Sequence, residues 1–131
     1  MDTFLLTDWI TVSGDGGGPG APNVKSIAQS SDQWLELPEH EDVSFVLEVK
    51  SVTGTVTMNF ETSPTKQESG FAAMLTPFAM STGRRADAAL FSNALVPLAH
   101  FLRWRVSNPG AAGIWDATFR IWVSASSPGG S

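Results

Sequence analysis

The sequence contains no cysteine. Disulfides, thiolate zinc centres, iron–sulfur clusters and cysteine nucleophiles are excluded, and packing alone has to hold the fold. Tyrosine is also absent, so no ring carries a phenolic handle, a mild argument against a carbohydrate surface. Charge is sparse: 16% of residues are charged, against about 25% in an average domain. Acids outnumber bases thirteen to eight, for a formal net charge of -5. Affinity for nucleic acid comes mainly from Lys and Arg neutralising phosphates, and the one adjacent basic pair is Arg84-Arg85, so no nucleic-acid partner is expected. No window approaches 18 apolar residues, so no membrane span is expected. Met1 to Asp8 has neither a basic n-region nor a long apolar stretch and does not read as a Sec signal. The expected route is cytoplasmic synthesis, with any later exit by lysis or inside a particle.

What remains is a chain of 131 residues, 42% hydrophobic, with eight Phe and five Trp to fill a core. A domain of this length buries roughly 65–70% of its unfolded surface and needs no metal or cofactor to fold. One domain is expected over residues 1–123. A Ser/Gly/Pro-rich tail is expected over 124–131. Residues 13–22 hold five Gly and two Pro and read as a long loop after a first strand at Phe4 to Val12.

Strand signals with period two fill most of the rest. Val43, Phe45, Leu47 and Val49 share one side of a run from Asp42 to Val52, and Ser44, Glu48 and Lys50 take the other. After Thr53-Gly54, Val56, Met58 and Phe60 form the next apolar side. Two alternating runs joined by a short turn predict a hairpin. In the C-terminal third, Leu102, Trp104 and Val106 oppose Arg103, Arg105 and Ser107. Beyond the turn-forming 108–113, Trp115, Ala117, Phe119, Ile121 and Val123 oppose Asp116, Thr118, Arg120 and Trp122. These runs predict a second hairpin. Short strands are expected at 24–28 and 33–37. Pro77 interrupts the apolar run 71–80 and makes it an edge strand, a bulge or two pieces. Residues 86–95 have helical propensity. Seven to nine strands with turn signals about every ten residues predict an all-β fold, a two-sheet antiparallel sandwich of jelly-roll type with at most one short helix.

Chemistry-bearing constellations are few. His40 lies in the acidic stretch 38–42, where neighbouring side chains diverge rather than converge on a metal. His100 opens a strand. No Gly-x-Ser-x-Gly elbow, Walker motif or dinucleotide motif occurs. Glu48 and Glu61 fall on outward sides of neighbouring runs and read as a surface charge pair with Lys50. No catalytic, cofactor or metal residues are expected, and the chain reads as a non-enzyme. A hydrolase or isomerase would need His40 or His100 in a concave site with a carboxylate.

The partner-binding expectation rests on Arg103, Arg105, Arg120 and Trp122, which the second hairpin would gather on one outward face, and on Arg84 and Arg85 in a neighbouring loop. Arg and Trp are enriched at binding hot spots. The same residues also suit a self-contained stack covering the sheet. Trp9 and Trp34 are candidate platforms for a sugar ring, Trp34 standing beside Asp32 and Gln33.

The stretch from Val43 to Pro64, with its alternating run, Thr53-Gly54 turn and second run, resembles small β-sandwich proteins of phage and phage-like particles. So do Phe101 to Asn108 and Ala117 to Val123. The resemblance covers about a third of the chain. It implies a decoration, cement or other virion-associated structural protein, oligomeric and docked on a protein lattice such as a capsid or tail, with its final place on the particle. A carbohydrate-binding module built on Trp34 or Trp9 is the alternative.

Overall fold

A strand with one buried side needs an apolar residue at every second position, and the runs that have them form strands. A computed structural model describes residues 2–15, 26–108 and 114–127. The strands are β1 (Asp2–Asp15), β2 (Ser26–Ala28), β3 (Leu35–Glu36), β4 (Asp42–Thr53), β5 (Thr57–Ser63), β6 (Ala72–Ala73), β7 (Phe78–Ala79), β8 (Gly83–Ala89), β9 (Phe101–Ser107) and β10 (Ile114–Ser126). Every pairing is antiparallel.

The first sheet has the order β1-β10-β4-β8. In the second, β9 and β5 lie at the centre, with β2 and β3 flanking β9 and with β6 and β7 flanking β5. Each sheet is four strand positions wide, and the chain passes repeatedly from one to the other. This is the two-sheet jelly-roll layout expected from the alternation.

The apolar sides meet between the sheets. Phe45, Leu47, Met58, Phe60, Leu102, Trp104, Trp115, Phe119 and Ile121 are buried there. Each buried Phe contributes about 3 kcal/mol. Phe45 stacks on Phe60 across the core, and the Trp104 and Phe119 rings meet edge to face at 5.1 Å.

Both predicted hairpins are absent. β4 pairs with β10 and β8, whereas β5 pairs with β9, β6 and β7. The link between β4 and β5 is an arch that carries the chain from one sheet to the other. Gly54 in that arch has φ +80, and an added Cβ would lie 3.2 Å from the Trp115 Cβ. A residue with positive φ against an indole suits glycine. β9 and β10 likewise belong to opposite sheets. Alternation specifies which side of a strand is buried, and an arch satisfies that requirement as well as a hairpin does.

The helix expected at 86–95 is replaced by the end of β8 and one tight turn. In that turn the Ala94 N–H donates to the Leu90 carbonyl at 2.9 Å, and the Leu90 N–H donates to Asn93 Oδ1 at 2.8 Å. No α-helix occurs among the described residues. The run 71–80 splits into β6 and β7 around Pro77. β1 extends to Asp15, into the segment read as loop, and β10 continues to Ser126, past Val123. Most of the Gly/Pro segment (16–22) and the last four residues lie outside the described residues.

The two edges of the first sheet differ. On β8, Arg85 and Asp87 point toward the core side, opposite Leu47 and Phe45. They pair with each other at 2.9 Å, and the Arg85 guanidinium lies 3.7 Å from the Phe78 ring centroid. Inward charges at an edge oppose strand addition. β1 has two register shifts against β10, between Leu5 and Thr7 and between Thr7 and Ile10. These bulges leave Asp8 and Trp9 without a cross-strand partner on β10 between the Thr7 and Ile10 pairs.

Candidate functional site

The sequence pattern sends the Arg-bearing sides of β9 and β10 outward, and the fold places them on opposite surfaces of the sandwich. Arg103 and Arg105 stand on the second sheet. Arg120, Trp122 and Arg84 stand on the first, and Arg85 points toward the core side; Arg84 and Arg85 lie in β8, paired with Glu48 and Leu47, and not in the expected loop. The six expected partner residues therefore do not form one cluster. Glu48 and Glu61 are also separated, one on each sheet.

The outer side of the second sheet is covered by the chain itself. Arg103 is 1% exposed although it faces outward from β9. Its Nε donates to Glu61 Oε1 at 2.8 Å, and its Nη1 donates to Glu68 Oε2. The guanidinium lies 4.0 Å from the Phe71 ring centroid and 5.5 Å from that of Trp34. Glu68 and Phe71 come from a short 3-10 turn, Glu68–Gly70, and its flank. Gly70 fits tightly beneath it, since an added Cβ would lie 2.5 Å from Ser63 Oγ. Arg105 donates to the same two carboxylates, at 3.3 Å to Glu61 and 3.2 Å to Glu68, and to Ser26 Oγ at 2.7 Å. Asn59 Nδ2 donates to the second Glu61 oxygen at 3.2 Å. Two guanidinium cations balance two carboxylates, so the network around the buried Arg103–Glu61 pair is neutral. The hydrogen bond from Arg103, reinforced by the positive charges of Arg103 and Arg105, holds the Glu68 carboxyl below its ordinary pKa.

Trp34 belongs to this cover. Its Nε1 donates to the Gln29 carbonyl at 2.9 Å, and its ring meets Phe71 at 4.6 Å between centroids.

The outer side of the first sheet carries no such cover among the described residues. The register aligns Leu5, Trp122, Val46 and Ala86 in one row across all four strands. Leu5 is 40% exposed and Trp122 37%. The next row holds Arg120, Glu48 and Arg84. Arg120 Nη2 donates to both Glu48 oxygens, at 3.0 and 3.2 Å, and Trp122 Nε1 donates to Glu48 Oε1 at 3.0 Å. The Arg120 guanidinium lies 4.7 Å from the Trp9 ring centroid and 5.4 Å from that of Trp122. A rigid patch results, with two indoles fixed by a cation and that cation fixed by a carboxylate. The sequence marks Trp9 only as a candidate platform. The β1 bulges that leave it 45% exposed have no sequence signal. They also open a groove of about 380 Å³ lined by Leu5, Thr7, Asp8, Trp9, Ile10 and Gln33 among others.

Each histidine contacts one carboxylate. His40 Nε2 lies 3.0 Å from Asp2 Oδ2, and this contact lowers the Asp2 pKa. His100 Nε2 lies 2.7 Å from Glu36 Oε2. Among the described residues no three His, Asp or Glu side chains converge with metal-site spacing. A further apolar feature, not anticipated from the sequence, is the loop after β8, where Phe91 is 60% and Leu95 64% exposed. The chain matches no family model and no curated protein.

Proposed function

We propose that the protein is a non-catalytic structural module that docks onto a protein lattice through the outer side of its first sheet, as a decoration or cement protein of a phage-like particle does. The row Leu5, Trp122, Val46 and Ala86 carries the reading, because it places a half-exposed apolar strip on a flat four-stranded face. Flat apolar strips with an aromatic anchor and a polar rim suit a protein partner. Arg84, without an ion-pair partner among the described residues, supplies a charge to that rim. The second sheet is a weaker docking candidate because its arginines are already satisfied internally. The jelly-roll layout occurs in viral capsid and lectin domains, so it supports the reading by analogy of fold.

The test identifies the genes beside its own and co-expresses the chain with whatever capsid or tail proteins they encode, followed by gradient sedimentation; a neighbourhood with none counts against the reading. The wild-type chain is expected to travel with assembled particles, and Trp122→Ser to remain at the top of the gradient while keeping its β-type circular dichroism. A wild-type chain that never leaves the soluble fraction would overturn the proposal.

A further inference from the structure

We infer that the groove opened by the β1 bulges is a binding site for a neutral saccharide, with Trp9 as its stacking platform. This inference does not depend on the docking proposal, since it concerns the bulged edge, which shares Leu5 alone with the docking row.

Three observations carry it. The first is that the Trp9 indole is both exposed and held in place. It is 45% exposed, and the Arg120 guanidinium, clamped by Glu48, lies against its ring at 4.7 Å. A ring held by its surroundings loses little conformational freedom when a ligand stacks on it. The second is the chemistry beside the ring. Asp8 Oδ1 accepts the Trp9 backbone N–H at 2.8 Å, which fixes the carboxylate next to the indole on the same bulge. An ionised carboxylate accepts several hydrogen bonds, and a primary amide such as Gln33 both donates and accepts. Vicinal sugar hydroxyls need this combination, while the C–H side of a pyranose needs an apolar ring. The third is size. The groove of about 380 Å³ falls in the lower part of the ~300–1,000 Å³ range of small-ligand sites, which suits a mono- or disaccharide.

The charge balance selects neutral sugars over acidic ones. The Arg120 charge is already engaged by Glu48, and Asp8 contributes a negative charge at the mouth of the groove. Trp34, the other candidate platform, has its Nε1 and its ring engaged in covering Arg103.

The experiment titrates the full chain with a panel of neutral disaccharides (gluco-, galacto-, manno-, xylo- and N-acetylglucosamine types) and follows the indole N–H signals by NMR. At least one sugar is expected to shift the Trp9 signal saturably in the millimolar range or below. Trp9→Ala is expected to abolish binding, and Asp8→Asn and Gln33→Ala each to weaken it about tenfold. Trp34→Ala is expected to leave it unchanged. Ala86→Glu, which puts a charge into the docking row on β8, is expected to leave saccharide affinity within about twofold, so failure of docking and failure of this inference are read separately. Absence of saturable binding across the panel, or binding that survives Trp9→Ala, would overturn the inference.

Discussion

Phe45 of β4 and Phe60 of β5 stack face to face across the core, with ring centroids 3.9 Å apart and planes within 3° of parallel. They are fifteen positions apart in sequence and stand on opposite sheets, so this contact closes the arch around Gly54. Truncating either ring leaves a cavity that a close-packed core fills poorly. Phe45→Ala and Phe60→Ala are each expected to lower unfolding free energy by about 3–5 kcal/mol. Urea denaturation of the two single variants and the double variant should give a coupling energy of about 0.5–1.5 kcal/mol. Strict additivity would show that the stack contributes nothing beyond burial.

Gly54→Ala tests the arch itself. Its positive φ and the nearby Trp115 Cβ both penalise a side chain. A loss of about 1–2 kcal/mol is expected, read as a lower urea midpoint with an unchanged m-value. Gly83 also has positive φ but nothing within 4 Å of an added Cβ. Its φ of +125 lies outside the left-handed well that L residues tolerate, so Gly83→Ala should also destabilise, through backbone strain alone.

The network on the second sheet makes a prediction about partial removal. Glu61→Gln leaves the 1%-exposed Arg103 with a neutral acceptor in place of a carboxylate and should cost about 3 kcal/mol. Replacing charge on both sides, in Arg103→Met with Glu61→Gln, should recover part of that loss, because no unpaired buried charge remains. Thermal unfolding of the two variants and the wild type measures both effects.

Acid stability should depend on Glu68. Its folded-state pKa lies below the usual value because the Arg103 and Arg105 guanidinium groups favour the carboxylate. The stabilisation is therefore present above the unfolded pKa, at about 4.3, and is lost as pH falls through the lower folded value. At neutral pH, Glu68→Gln should be less stable than wild type by about 0.5–1 kcal/mol, since the carboxylate is largely solvated and screened. The difference should close below about pH 4. A gap that stays constant with pH would assign the loss to packing of the turn instead.

The guarded edge can be tested by removing its guard. Arg85→Val with Asp87→Val should promote association through β8, seen as a concentration-dependent rise in sedimentation coefficient. β8 would then present apolar residues where it now presents an inward charge pair.

The sequence reveals the sides of the strands better than their partners. Val43, Phe45, Leu47 and Val49 alternate toward the core as expected, as do Trp104, Trp115, Phe119 and Ile121. Period two follows from the pleat alone, so it reports burial whatever strand lies alongside. Pairing depends on where each connection sends the chain. The short link after Thr53 has the length of a hairpin turn and the path of an arch. That difference dissolved the expected grouping of Arg103 and Arg105 with Arg120 and Trp122. The Ala86–Ala89 run has helical propensity, but its ladder with β4 outweighs it. Trp9 is exposed through two bulges in β1, and no local pattern announces them. Arg103 is buried by residues about thirty-five positions earlier in the chain, a distance that periodicity does not register.

The contrast between the two outer surfaces gives the molecule a front and a back. One broad side wears a coat made from its own chain, pinned by paired ions, while the described residues leave the other bare. On the docking we propose, a tile of this kind has one way to lie down. Copies spread over a regular support would all share one orientation, each turning its coated side to the surroundings.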